Sequence, residues 1–137
     1  MAVIDELIRE EATGSLSFGN FMLDSKTKKD GFTYNGDVYK IKTFKEITKL
    51  EKNGMFVYES VPGTVVHDFR ATDKATNFVV EGTEDSQITL EFEAEKEYKI
   101  HVDKVYVGKM KTNLGGKLNI SVELEPGKLV DVYIEKM

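Results

Sequence analysis

Apolar and polar residues alternate with a period of two through most of this chain, and that period favours strands over helices. Ile88, Leu90 and Phe92 alternate with Gln87, Thr89, Glu91 and Glu93, and Tyr98, Ile100 and Val102 alternate with Lys99, His101 and Asp103. Leu118, Ile120, Val122 and Leu124 repeat the pattern, and Val130, Val132 and Ile134 close it. Successive strand side chains point to opposite faces, so each run carries one face to bury and one to hydrate. Asn35-Gly36 and Asn53-Gly54 interrupt the first half of the chain. Such pairs suit the type I′ turn, which needs positive φ at both central residues. They predict one hairpin joining Phe32–Tyr34 to Asp37–Ile41 and another joining Glu46–Lys52 to Met55–Ser60. Glu84-Asp85, Asp103-Lys104, Gly115-Gly116 and Pro126-Gly127 supply further turns. The expected fold is all-β, an antiparallel β-sandwich, built as one compact domain or as two small lobes meeting at Pro62-Gly63.

One segment follows a different period. Val3, Ile4, Leu7 and Ile8 recur at three- and four-residue spacing, with acids on the other face and Gly14 as a stop. This predicts a short amphipathic helix over residues 1–13, ahead of a β-hairpin region over 15–62 and a β-sandwich region over 63–137. About three turns of helix are marginal alone and must dock on the chain's own domain or on a neighbouring subunit.

Composition narrows the function classes. Nineteen basic residues against twenty-four acidic give a net charge of −5, with no basic block, so the electrostatic footprint of a nucleic-acid binder is missing. The chain has no cysteine, which excludes disulfides, thiolate metal sites and cysteine nucleophiles. The first residues carry Asp5, Glu6, Glu10 and Glu11 where a secretory signal needs a basic start, and no apolar run approaches a spanning length. A cytoplasmic protein with no membrane partner is the expectation.

Candidate chemistry is sparse. Glu91, Glu93, Glu95 and Glu97 form an acidic row, but Lys99, Lys104, Lys109, Lys111 and Lys117 fall on the expected neighbouring strands, and cross-strand pairing accounts for both. His67 and His101 are the only histidines, too few for a transition-metal site. Gly115-Gly116-Lys117 is followed by Leu118 and a strand, not by the Ser/Thr and helix of a phosphate loop. No Gly-x-Ser-x-Gly elbow is present. No catalytic residue, metal ligand or cofactor site is expected. The aromatics are more suggestive, because Tyr34, Tyr39, Phe56 and Tyr58 fall on paired strands, where such rings can stack on sugars. Strict alternation puts Phe56 and Tyr58 on one face and Met55 and Val57 on the other, so both faces of that hairpin are apolar. An apolar face beyond what a core needs marks a partner.

Several runs resemble a group of short proteins from anaerobic Gram-positive bacteria that often carry the label endosialidase. They are the opening Met1–Arg9, the run Lys42–Thr64 with its Lys-Asn-Gly-Met-Phe-Val-Tyr-Glu centre, Val80–Asp85 and Gly108–Leu118. The label implies cleavage of polysialic acid. Sialidases typically grip the substrate carboxylate with three arginines and repeat a Ser-x-Asp-x-Gly-x-Thr-Trp box, whereas this chain has only Arg9 and Arg70, no tryptophan and no such box. It is also too short for a six-bladed propeller. Residues 97–134 are similar to the small β-sandwich modules that close many bacterial polysaccharide-degrading enzymes, where the role is usually structural.

The reading that joins these observations is a non-enzymatic protein that assembles into a defined homo-oligomer. Val3, Ile4, Leu7 and Ile8 of the helix, with Phe56 and Tyr58 of the hairpin, are the expected self-association residues. A carbohydrate-binding accessory module, with a glycan as partner, is the alternative, and a glycosidase matching the label stands third.

Overall fold

A computed structural model describes residues 3–137. The chain forms β1 (Ile8–Glu10), β2 (Leu16–Phe18), β3 (Thr27–Tyr34), β4 (Asp37–Phe44), β5 (Ile47–Lys52), β6 (Met55–Val61) and β7 (Val65–Ala71). β8 (Ala75–Glu81), β9 (Ser86–Glu91), β10 (Glu97–Val102), β11 (Val105–Lys111), β12 (Lys117–Val122) and β13 (Val130–Lys136) follow. They make two antiparallel sheets. The larger has seven strands in the order β1-β2-β7-β8-β13-β10-β11, and the smaller has six in the order β12-β9-β6-β5-β4-β3.

The alternation read from the sequence is what closes these sheets on each other. Ile8, Phe18, Phe78, Ile100, Val132 and Ile134 of the larger sheet share one buried cluster with Ile41, Leu50, Tyr58, Ile88, Leu90 and Leu118 of the smaller. Strands from before and after Pro62 contribute to both sheets and to this single core. Asn35-Gly36 and Asn53-Gly54 both adopt positive φ at both residues, as the type I′ turn requires, and join β3 to β4 and β5 to β6.

One end of the core is polar and tightly knit. Thr48 Oγ1 donates to the Thr64 carbonyl at 2.7 Å and accepts from the Thr64 N–H at 3.1 Å. Tyr58 and Ser60 hydroxyls each share a 2.8 Å hydrogen bond with Thr64 Oγ1. All four side chains belong to residues with no exposed surface, so mutual satisfaction is what makes their burial tolerable. Backbones approach closely here: a Cβ on Gly63 would lie 2.1 Å from the Phe44 carbonyl oxygen.

The expected N-terminal helix over residues 1–13 does not form. Among the described residues there is no α-helix, and Ile8–Glu10 is a strand paired with β2. Ile4 N–H donates to the Gly19 carbonyl at 3.1 Å and Gly19 N–H donates to the Leu7 carbonyl at 2.9 Å. Leu7 takes a left-handed conformation, φ 73°, which reverses the chain's facing between Ile4 and Ile8. Ile8 therefore enters the main core, while Ile4 packs with Phe21 and Val65 in a separate cluster on the other side of the larger sheet. The helical spacing was real, but β2 offers this segment both hydrogen-bond partners and two apolar surfaces. A helix of this length has too little internal cooperativity to compete.

Candidate interaction surfaces

The six residues expected to mediate association are distributed as follows. Ile4, Ile8 and Tyr58 are buried within the chain, and Val3 and Leu7 are half-buried against its clusters. Phe56 and Tyr58 do not share a face. β6 pairs Tyr58 with Leu50 and Phe56 with Glu51, so Val57 is an extra residue in a β-bulge. The bulge turns Val57 toward the core and leaves Phe56 outside, where Lys117 Nζ lies 4.5 Å from its ring centroid. The hairpin thus carries Phe56 as a ring partly covered by a lysine, while Met55 beside its turn is 65% exposed.

The acidic row is largely paired, as the cross-strand argument required. Glu91 binds Lys117 opposite it, and Glu97 meets Lys109 at 3.6 Å. Glu93 binds Lys136 of β13, a partner outside the lysines named from sequence. That bond holds the Glu93 carboxyl below the usual carboxylate range and raises Lys136. Glu91 and the Glu93–Lys136 pair flank a cleft of about 810 Å³ between the two sheets, floored by Val57, Phe69, Leu90, Tyr98 and Ile134.

Edges differ in how they are guarded. β1 is three residues long. β3 carries exposed Lys28, Lys29 and Asp30 and breaks register between Lys29 and Phe32, while β12 buries Leu118, Ile120 and Val122 and shows polar residues outside. Short length, charge and bulges are the usual protections of a strand edge. β11 carries a bulge at Val107 and exposed Lys109 and Lys111, yet it exposes large apolar side chains that the other edges do not. Val105, Tyr106 and Val107 are 62%, 54% and 59% exposed, and Met110 is 40% exposed. Met110 sits opposite Tyr98 and Val105 opposite Val102, so both lie on the inward side of the larger sheet. Their exposure on that side shows that β11, the last strand of the larger sheet, overhangs the smaller one.

The outer face of the same sheet carries a row of side chains in register. Tyr106 lies opposite His101, His101 opposite Tyr133, Tyr133 opposite Asn77, and Asn77 opposite Arg70. Ring centroids are 5.5 Å apart for His101 and Tyr106 and 5.8 Å for His101 and Tyr133. With Lys99 and Glu135 these rings line a shallow depression of about 660 Å³. Tyr133 Oη donates to Glu135 Oε2 at 2.7 Å, which holds the phenol proton on and raises its pKa. His101 Nδ1 is shielded from solvent and has no hydrogen-bond partner among the described residues. The sequence reading passed over Tyr106 and Tyr133. The signal was available, since a two-residue turn at Asp103-Lys104 places Tyr106 opposite His101.

Comparison of the chain with protein-family models, with curated proteins and with solved structures finds no match. No helix among the described residues is long and apolar enough to cross a membrane.

Proposed function

We propose that this chain is a structural protein that self-associates, and that the contact is β11 against β11 of a second copy. The observation that carries the reading is the overhang: an edge strand with Val105 and Met110 on an uncovered inward side. An edge strand presents unpaired N–H and C=O groups, and an antiparallel partner satisfies them. A second copy is the fitting occupant because antiparallel pairing of a strand with itself is isologous and closes on two subunits. Inward residues then meet inward residues, with Val105 opposite Met110 of the other copy and Tyr106 opposite Lys109. Each copy covers the apolar underside that its own smaller sheet leaves bare. Lys109 and Lys111 set the register, since pairings that oppose lysine to lysine are disfavoured.

The test is native mass by light scattering across a dilution series, on the wild type and on a Val105→Glu, Met110→Glu double variant. The wild type should show a mass near twice that of the 15.5 kDa chain, and the variant a monomer whose circular dichroism matches the wild type, since both positions are exposed. A monomeric wild type, or a variant that assembles as before, overturns the reading.

A further inference from the structure

The geometry points to the outer-face row Tyr106, His101, Tyr133 and Asn77 as a binding platform for an uncharged oligosaccharide. The inference rests on the outer face and not on the uncovered inward side of β11; Tyr106 alone is shared with the edge contact, and His101, Tyr133 and Asn77 lie on strands behind it.

Three features carry it. The first is pitch. Successive members of the row stand on adjacent strands, β11, β10, β13 and β8, and neighbouring strands are about 4.8 Å apart. That spacing is close to the repeat of one hexose residue in an extended chain, so consecutive sugars can address consecutive strands. The second is the mixture of groups. A pyranose offers an apolar C–H face for stacking and a rim of hydroxyls for hydrogen bonding. The row supplies aromatic faces in Tyr106 and Tyr133, and its flanks supply Lys99 and Glu135 as donor and acceptor. Glu135 already orients the Tyr133 hydroxyl, and Asn77 Nδ2 is fixed by Asp131 Oδ1 at 3.3 Å and the Val132 carbonyl at 2.9 Å. Polar groups held in place lose little entropy when a ligand arrives. The rings are tilted by 56° and 53° from His101, which suits a chain of separate rings better than one flat aromatic ligand.

The third feature is charge. The cations on this face are Lys99, Lys109 and Lys111 beside the row and Arg70 at its far end, with Lys109 engaged by Glu97. Against them stand Glu135, Asp131 and Asp103. A platform without cationic excess does not favour a polyanion, whether nucleic acid or an acidic glycan.

The experiment is two-dimensional NMR of the full chain titrated with cellohexaose, maltohexaose and polysialic acid, alongside the variant Tyr106→Ala. At least one neutral hexaose should shift signals of Tyr106, His101 and Tyr133 while polysialic acid does not. Tyr106→Ala should weaken that binding roughly tenfold (about 1.4 kcal/mol) and leave the NMR signals of the buried core in place, because the ring is 54% exposed and lies outside that core. Tyr133→Phe, which keeps the ring and frees Glu135, should weaken binding without abolishing it. No shift with either neutral hexaose, shifts that map outside the row, or shifts with polysialic acid alone would overturn the inference. Native mass measured on Tyr133→Phe separates this site from the edge contact, because Tyr133 stands on β13, two strands in from that edge, and weaker sugar binding there should leave the mass as it was.

Discussion

Replacing Ile4 and Ile8 by alanine, singly and together, asks whether the N-terminal segment is part of the fold or a detachable docking arm. The two side chains are 0% and 1% exposed and lie in different clusters. Ile8 sits opposite Phe18 within the main core, where neighbours are held on all sides and cannot collapse into a void. Buried Ile→Ala changes cost about 2–5 kcal/mol, and this environment places Ile8 near ~3–4 kcal/mol. Ile4 packs only with Val3, Phe21 and Val65, a small cluster able to relax, so ~2 kcal/mol is expected. With no shared cluster the two should add, to about 5–6 kcal/mol. That is a large part of the ~5–15 kcal/mol that holds an ordinary domain. Urea unfolding followed by circular dichroism measures it, with unchanged slope as the sign that only stability moved. At about 3–5 °C per kcal/mol for a chain of this size, Ile8→Ala alone should melt roughly 10 °C or more below wild type. The reasoning fails if either variant keeps its stability within about 0.5 kcal/mol. It fails equally if native mass falls while stability does not, which is what a docking arm would do.

Gly63→Ala should be severely destabilising, ~3 kcal/mol or more by urea midpoint, because its Cβ would meet the Phe44 carbonyl at 2.1 Å and backbone must move. Gly14→Ala has nothing within 4 Å of the new Cβ and carries only the strain of φ +86°, ~1–2 kcal/mol, so the same assay separates collision from strain. Tyr58→Phe should cost about 1 kcal/mol, since Thr64 Oγ1 keeps Ser60 as partner, whereas Thr64→Val orphans two buried hydroxyls and should cost ~2–3 kcal/mol. Glu11 accepts from Ser17 Oγ at 2.6 Å and from Arg9 Nε at 3.2 Å, and the Ser17 bond leads in holding its carboxyl below the usual range. A lowered carboxylate contributes stability above the unfolded value of about 4.3 and loses it as pH falls through the folded value. Wild type and Glu11→Gln should therefore differ in urea midpoint near neutrality and converge in acid, and a difference constant with pH would refute the assignment.

The parts of this fold legible in the sequence are those set by nearest neighbours along the chain. Asn35-Gly36 and Asn53-Gly54 announce their turns through backbone chemistry alone, and the alternation around Leu90, Ile100 and Ile120 names the inward face of each strand. What alternation cannot name is the neighbour. β13 inserts between β8 and β10, and β9 lies between β6 and β12, pairings decided by how two apolar faces fill one core. Bulges are the second blind spot. Val57 and the irregularity between His67 and Arg70 each shift the parity of a strand, and one extra residue moves a side chain to the other face. Phe56 was placed with Tyr58 for that reason. The N-terminal error is different in kind, because the spacing of Val3, Ile4, Leu7 and Ile8 is genuinely helical and only the left-handed Leu7 sends Ile4 and Ile8 to opposite sides.

The exposed underside of β11 follows from how the chain leaves that strand. The connection from β11 to β12 crosses from the larger sheet to the smaller, and it is tied down at each step. Thr112 Oγ1 donates to the Glu93 carbonyl at 2.6 Å and accepts from the Lys96 N–H at 3.0 Å. Asn113 Oδ1 accepts from the Gly115 and Lys117 N–H groups, both at 2.9 Å. Gly116 passes so close to Phe92 that a Cβ there would stand 2.2 Å from its carbonyl oxygen. At its other end β11 is held by the two-residue turn at Asp103 and Lys104, both with positive φ. An edge anchored at both ends cannot curl down to cover Val105 and Met110 with its own chain. The same anchoring means that a second strand arriving there meets a backbone already in position, so little ordering entropy opposes the pairing. A flexible tail with the same residues would lose that advantage, and it would not hold Tyr106 in line with His101 and Tyr133. The exposed edge and the aromatic row are thus two consequences of one structural fact, an overhanging strand kept rigid.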